Sequence, residues 1–134
     1  MGPSNHEVRL ELACDPASPA AARNAVGSLA EQLGVPVDDV KIAVSEAVGN
    51  AVVHAYRHGE VGEITVFACE KRGRLLVTVA DDGIGMTPNP ESTGLRLGIP
   101  LITKLCDDVR FTSSEDGTTV SMSFGAQTRS EVGA

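Results

Sequence analysis

Residues 44–56 read VSEAVGNAVVHAY, the segment that the rest of the chain serves. Val44, Ala47, Val48, Ala51, Val52 and Ala55 recur at helical spacing, so one side of an amphipathic helix faces a core. Glu46, Asn50 and His54 fall four apart on another side. A step of four carries a side chain about 40° past a full turn, which stacks a carboxylate, an amide and an imidazole along one narrow strip. Such a strip can present a base and a metal ligand together; equally, it can be a solvated face with chance polar residues. Gly49 lies within it. A mid-helix glycine costs about 1 kcal/mol relative to alanine, which points to something approaching the backbone closely there.

Upstream of this helix, Glu7 to Leu12 alternate charged and apolar residues and predict a half-buried strand. Ser18-Pro19 supply an N-cap and a first-turn proline for a helix with Ala22, Val26, Leu29 and Leu33 on one side, stopped at Gly34. Arg23, in its first turns, is either a solvated residue or part of a partner surface. Val35, Pro36, Asp38 and Asp39 open the second helix, which runs to Gly59. The acids suit the positive end of its dipole. His54 and His58 are spaced for a shared metal, although no third ligand type stands near them.

Downstream, Glu63–Lys71 and Leu75–Asp81 are alternating, β-branched-rich runs joined by Arg72-Gly73, an antiparallel hairpin that delivers Asp81 to a strand end. The stretch DDGIGM at 81–86 and its continuation to Gly98 are dense in Pro, Gly, Ser, Thr and Asn and read as a loop. Helical spacing resumes over Ile99–Leu105. After Asp107-Asp108 comes a strand at Val109–Ser113, a turn at Glu115-Asp116-Gly117, and a last strand, Thr118–Phe124. This order favours an α+β fold, a two-layer sandwich of a mixed, mostly antiparallel sheet with helices on one face. All 134 residues read as one domain, with residues 1–6 as a leader and 127–134 as a tail.

Composition narrows the function. The chain is 42% hydrophobic and 22% charged, which suits one domain burying roughly two-thirds of its unfolded surface. One Tyr, three Phe and no Trp leave the core to Val, Leu, Ile and Ala. A net charge of −7 without clustered Lys or Arg opposes a nucleic-acid partner, so any phosphate bound should be small and metal-shielded. Cys14, Cys69 and Cys106 are odd in number and contain no CxxC pair, so they predict neither a disulfide framework nor a zinc site. With no run of 18 apolar residues and no signal-like start, the expectation is a cytoplasmic protein without a membrane partner.

Two further motifs carry chemistry. Asp81-Asp82-Gly83-Ile84-Gly85 places an acid before two glycines that let a flat ligand approach the backbone, though such a stretch is also a plain glycine turn. Gly94-Leu95-Arg96-Leu97-Gly98-Ile99-Pro100 enters a helix, where free N–H groups suit phosphate oxygens, or where a helix simply begins. It is neither a Walker loop nor a Rossmann fingerprint.

Together and in this order, SEAVGNAVVHAY, VADDGIGM, GLRLGIPLI and GTTVSMSF closely resemble the anti-sigma-factor serine/threonine protein kinases of the GHKL, or Bergerat-fold, ATPase superfamily. The resemblance runs from about Glu7 to Phe124. It implies ATP and Mg2+ as cofactors, Glu46 as the general base and Asn50 as the Mg2+ ligand within the nucleotide site. It implies Asp81 as the acceptor for the adenine amino group, with Gly83 and Gly85 shaping the purine pocket and Thr118 or Thr119 supporting that end. Residues 86–97 would form an ATP lid, and Gly94, Arg96, Leu97 and Gly98 would lie against the phosphates. Arg23 matches a partner-surface position. The implied partners are an anti-anti-sigma factor with a STAS domain as substrate, a sigma factor held inactive, and a second copy of the chain in a homodimer. Arg96 stands where many relatives have glycine, and Gly49 where they have a bulkier or hydroxylated residue. The alternative is a nucleotide-binding regulator of the same fold that acts only as a partner trap.

Overall fold

The computed structural model describes residues 7–57, 63–81, 101–114 and 117–125. Strand β1 (Glu7–Ala13) leads to helices α1 (Ser18–Leu33) and α2 (Val37–Arg57), then to β2 (Glu63–Lys71), β3 (Arg74–Asp81), β4 (Asp108–Ser114) and β5 (Gly117–Phe124). Residues 101–105 are also helical. The five strands form one sheet in the order β1-β2-β3-β5-β4. All four pairings are antiparallel, so the expected mixed character is absent among the described strands.

Alternation along the strands decides which face is covered. Ile64, Val66, Ala68, Leu75, Val77, Val79, Val120, Met122 and Phe124 are all buried and share one face. Their cover comes from α1, through Ala22, Val26, Leu29 and Ala30, and from α2, through Val40, Ala43, Val44, Ala47, Val48, Ala51 and Val52. The apolar side read from residues 44–55 is thus the core side of α2. On the opposite sheet face Thr65, Phe67, Thr78, Thr119 and Ser121 stay half-buried.

Local chemistry explains the joints. Arg72 (φ 57°) and Gly73 (φ 80°) both occupy the left-handed region, the requirement of a two-residue type I′ hairpin between Lys71 and Arg74. Helix α1 ends in a Schellman motif: Gly34, at φ 76°, donates to the Glu31 carbonyl, and Val35 N–H reaches back to Ala30. The start of α1 differs from expectation. Ser18 is the first helical residue and caps nothing; its Oγ donates to the Ala13 carbonyl at 2.6 Å. The turn before it is instead held by Asp15 Oδ1, which accepts from Ala17 N–H at 2.7 Å. A serine one position inside the helix has its hydroxyl aimed back at the strand it follows, and it ties β1 to α1.

Candidate nucleotide and phosphotransfer site

The strip on α2 lies beside the core side without joining it. Glu46, Gly49 and Asn50 are half-buried, while their neighbours Ala47, Val48 and Ala51 are buried. That partial exposure suits a carboxylate and an amide that must meet a ligand yet stay oriented by the packed helix. Around Gly49, no described atom other than its chain neighbours and the adjoining backbone of α2 lies within 4 Å of the place a Cβ would occupy. The close approach expected there is therefore not made by any described part of the fold, and the space beside the backbone is free of described side chains. His54 belongs to α2 with its side chain outside the described residues, as is His58 altogether.

Asp81 closes β3 on the helix-covered face, in phase with the buried Leu75, Val77 and Val79. Its register partners are Ile64 on one side and Thr118 on the other, and Thr118 is buried. A carboxylate and a hydroxyl thus stand side by side at one end of the inner sheet face. Thr119, by contrast, pairs with Ala80 and Thr112 and faces the other side of the sheet. Between the two threonines left open by the sequence, the parity of β5 favours Thr118.

Cys14 joins this end to α2. Its Sγ donates to the Val52 carbonyl at 3.5 Å. Burial pushes the thiol pKa up, and the negative charges of Asp81 and Asp15 push it further. Cys14 follows the end of β1, whose partner strand β2 pairs Ile64 with Asp81, so its contact with Val52 brings the half of α2 bearing Asn50 and Val52 to the sheet end that bears Asp81. Sequence reasoning treated Cys14 only as a small half-buried residue; its position immediately after β1 was the available signal. A second residue it passed over is Ser45, whose buried Oγ has no hydrogen-bond partner among the described residues.

The expected glycine loops, Gly83, Gly85, Gly94, Arg96, Leu97 and Gly98, and the lid at 86–97 lie outside the described residues. Arg23 is half-buried on α1. Among the described residues no group of three or more His, Cys, Asp or Glu side chains could hold a metal ion, and no helix is long and apolar enough to cross a membrane.

An inner-face acid beside a buried hydroxyl, under a helix carrying Glu and Asn four apart, is what a comparison with known proteins can decide. The sequence profile of the histidine kinase-like ATPase domain matches residues 12–124. The chain belongs to this family. Within it, the chain is 35% identical to the serine-protein kinase RsbW of Bacillus licheniformis, over 75% of this chain and 73% of that protein. It is 30% identical to the anti-sigma F factor of Bacillus velezensis, over 86% of this chain and 89% of that protein. These relatives place it among the anti-sigma-factor serine kinases of the histidine kinase-like ATPase family. The crystal structure of the RsbU and RsbW domains of a Mycobacterium tuberculosis protein superposes with a TM-score of 0.70 at 22% identity, covering 89% of this chain and 32% of that one; it shares the fold. As an ATPase domain of this family the chain uses ATP, and the α+β sandwich expected from element order is the family's fold.

Proposed function

We propose that this kinase is an anti-sigma factor that transfers the γ-phosphoryl group of ATP to a serine of a STAS-domain anti-anti-sigma protein and, in its other state, holds a sigma factor inactive in the cytoplasm. The observation that carries this reading is the pair of half-buried Glu46 and Asn50 four apart on α2, whose Val52 carbonyl meets Cys14 beyond β1, while Asp81 and Thr118 stand paired at the inner sheet end.

The donor set fits the nucleotide. Asp81 offers a carboxylate acceptor for an exocyclic amino group, and the buried Thr118 hydroxyl beside it can donate or accept at the same edge. The Asn50 side-chain oxygen is a hard ligand of the kind Mg2+ takes when most of its other positions go to water and phosphate. When bound, Mg-ATP supplies the electrophilic phosphorus and neutralises the charge of the phosphates. The chain's own contribution is positioning and one proton. Glu46 accepts the proton of the acceptor serine hydroxyl as that oxygen bonds to the γ-phosphorus, the bond to the bridging oxygen breaks, and ADP leaves. Gly83, Gly85, Gly94, Arg96, Leu97 and Gly98 complete the pocket in this proposal, and Arg23 meets a protein partner.

The proposal includes a homodimer through β1. On one side β1 pairs with β2; on its other side no described strand lies, and an unpaired edge is normally covered or blunted. Its sequence, Glu-Val-Arg-Leu-Glu-Leu-Ala, is self-complementary: antiparallel pairing about Leu10 sets Arg9 opposite Glu11 of the partner subunit, twice. Within one chain Arg9 and Glu11 form only an exposed 3.7 Å ion pair, a weak contact that can be exchanged for the intermolecular one.

The test is transfer of label from γ-labelled ATP to the STAS protein, wild type against Glu46→Gln. Labelled serine with the wild type and none with the variant is the expected result. A wild type that binds ATP and the sigma factor but labels no acceptor would make the chain a partner trap.

A further inference from the structure

The exposed side of α2 carries more than its polar strip. Ile42 and Val53 are among the few large apolar residues of the described chain left exposed, at 44% and 52%. With Glu46 and Gly49 they occupy positions i, i+4, i+7 and i+11, which fall within about 60° of the helix surface. The stripe is therefore Ile42, Glu46, Gly49, Val53, and at its middle no described side chain lies within 4 Å of where a Cβ on Gly49 would sit. Asn50 lies about 40° from Glu46 on the flank turned away from Ile42 and Gly49. Glu46 is thus a border residue, with an amide on one side and an apolar, notched surface on the other.

We propose that this stripe is the docking surface for the acceptor protein, and that its occupant is the segment of the STAS protein carrying the phosphorylated serine. The inference rests on the assignment of Glu46 as the base. A serine hydroxyl extends one carbon from its backbone, so a serine whose proton reaches Glu46 brings the acceptor main chain against the helix. The Asn50 flank is taken by metal and phosphates in that reading. The remaining flank is the one on which Gly49 leaves room for a backbone and on which Ile42 and Val53, about 16 Å apart along the axis, can seat apolar side chains to either side of the serine. Exposed branched side chains at such positions give a folded chain nothing on their own and give an acceptor two anchors.

Phosphotransfer kinetics with purified, unphosphorylated STAS protein test the stripe. Ile42→Ser and Val53→Ser should each raise KM for the acceptor at least tenfold, while kcat at saturating acceptor and Kd for Mg-ATP stay within about twofold. A side chain that only supported the helix would move the nucleotide affinity as well. Unchanged acceptor KM overturns the inference. So does loss of sigma-factor binding with acceptor KM intact, which would assign the stripe to the sigma factor. Binding of the STAS protein to chain loaded with a non-hydrolysable ATP analogue gives a second readout without turnover, and equal affinities for wild type and Val53→Ser also overturn it. Glu46→Gln in the same series separates the two claims. Full transfer by that variant removes the base assignment, whatever the stripe variants do.

Discussion

Replacing Gly49 by alanine should make the protein more stable. Gly49 sits in the interior of the 21-residue α2, where glycine is less favourable than alanine by about 0.5–1 kcal/mol, because it loses more backbone freedom on folding. The usual counterweight is a clash, and the described structure shows none: outside the adjoining backbone of α2, no described atom lies within 4 Å of the added methyl. The whole propensity gain should therefore appear as stability, a rise in Tm of about 2–6 °C for a domain of this size. Gly27 supplies the internal control. A methyl there would meet Lys41 Cε at 2.7 Å and Cγ at 3.0 Å, so the Lys41 stem must move and much of the same gain is lost. Thermal unfolding of the two variants beside wild type, without nucleotide, measures the difference. A Gly49→Ala variant no more stable than wild type would refute the claim that no described side chain obstructs Gly49, and equal rises would refute the obstruction by Lys41 at Gly27. If Gly49→Ala is more stable and also has a higher KM for the acceptor, the glycine is retained for that approach at the expense of stability.

Asp81→Asn keeps the shape of the inner sheet end but presents a donor where an acceptor is needed, so Mg-ATP affinity should fall at least tenfold by calorimetry, whereas Glu46→Gln should leave it nearly unchanged. Arg9→Glu and Glu11→Arg should each weaken self-association in sedimentation by setting like charges across the β1 edge, and an equimolar mixture of the two variants should associate again. Ser18→Ala removes the tie to the Ala13 carbonyl and should cost about 1 kcal/mol in urea unfolding. The Cys14 thiol, pushed up by burial and by Asp81 and Asp15, should be alkylated more slowly than a free thiol at pH 8 and show its rate rise at higher pH. A thiol whose folded pKa is raised stabilises the fold below its unfolded value, so stability should decline as pH climbs past about 9.

Periodicity carried most of the fold into the sequence. The apolar spacing of residues 44–55 marked the core side of α2, Arg72-Gly73 marked the β2–β3 hairpin, and Gly34 marked the end of α1. These are local decisions, each made by a handful of neighbouring residues. Strand order is not local. Nothing in the alternation of Val109 or Val120 says that β5 lies between β3 and β4, because every one of these strands has an apolar side that fits several neighbours. The candidate site was legible as residue types at fixed spacing, Glu46 with Asn50 and Asp81 before glycines, while its assembly depended on register. Strand parity could have separated Thr118 from Thr119, since Val120, Met122 and Phe124 point inward and Thr118 is in phase with them. Cys14 could not be found that way: its nearness to Asp81 arises because the ends of β1 and β3, far apart in sequence, meet across β2. Ser18 misled because a serine before proline is a good cap by type, and only the path of the chain out of β1 turned its hydroxyl elsewhere.

The order β1-β2-β3-β5-β4 also sets when this protein can be finished. The strand that fills the slot beside β3 is the last of the five to be synthesised, so an emerging chain carries an open inner ladder, flanked by apolar Leu75, Val77 and Val79, until residues 117–124 have cleared the ribosome. In the proposed site nucleotide binding would wait for the same event, because Asp81 gains Thr118 beside it only then. On the proposed assignment a chain cut before β5 would be blind to ATP and prone to pair with other unfinished copies, which makes translation of β5 the step that commits the molecule to regulation rather than to aggregation.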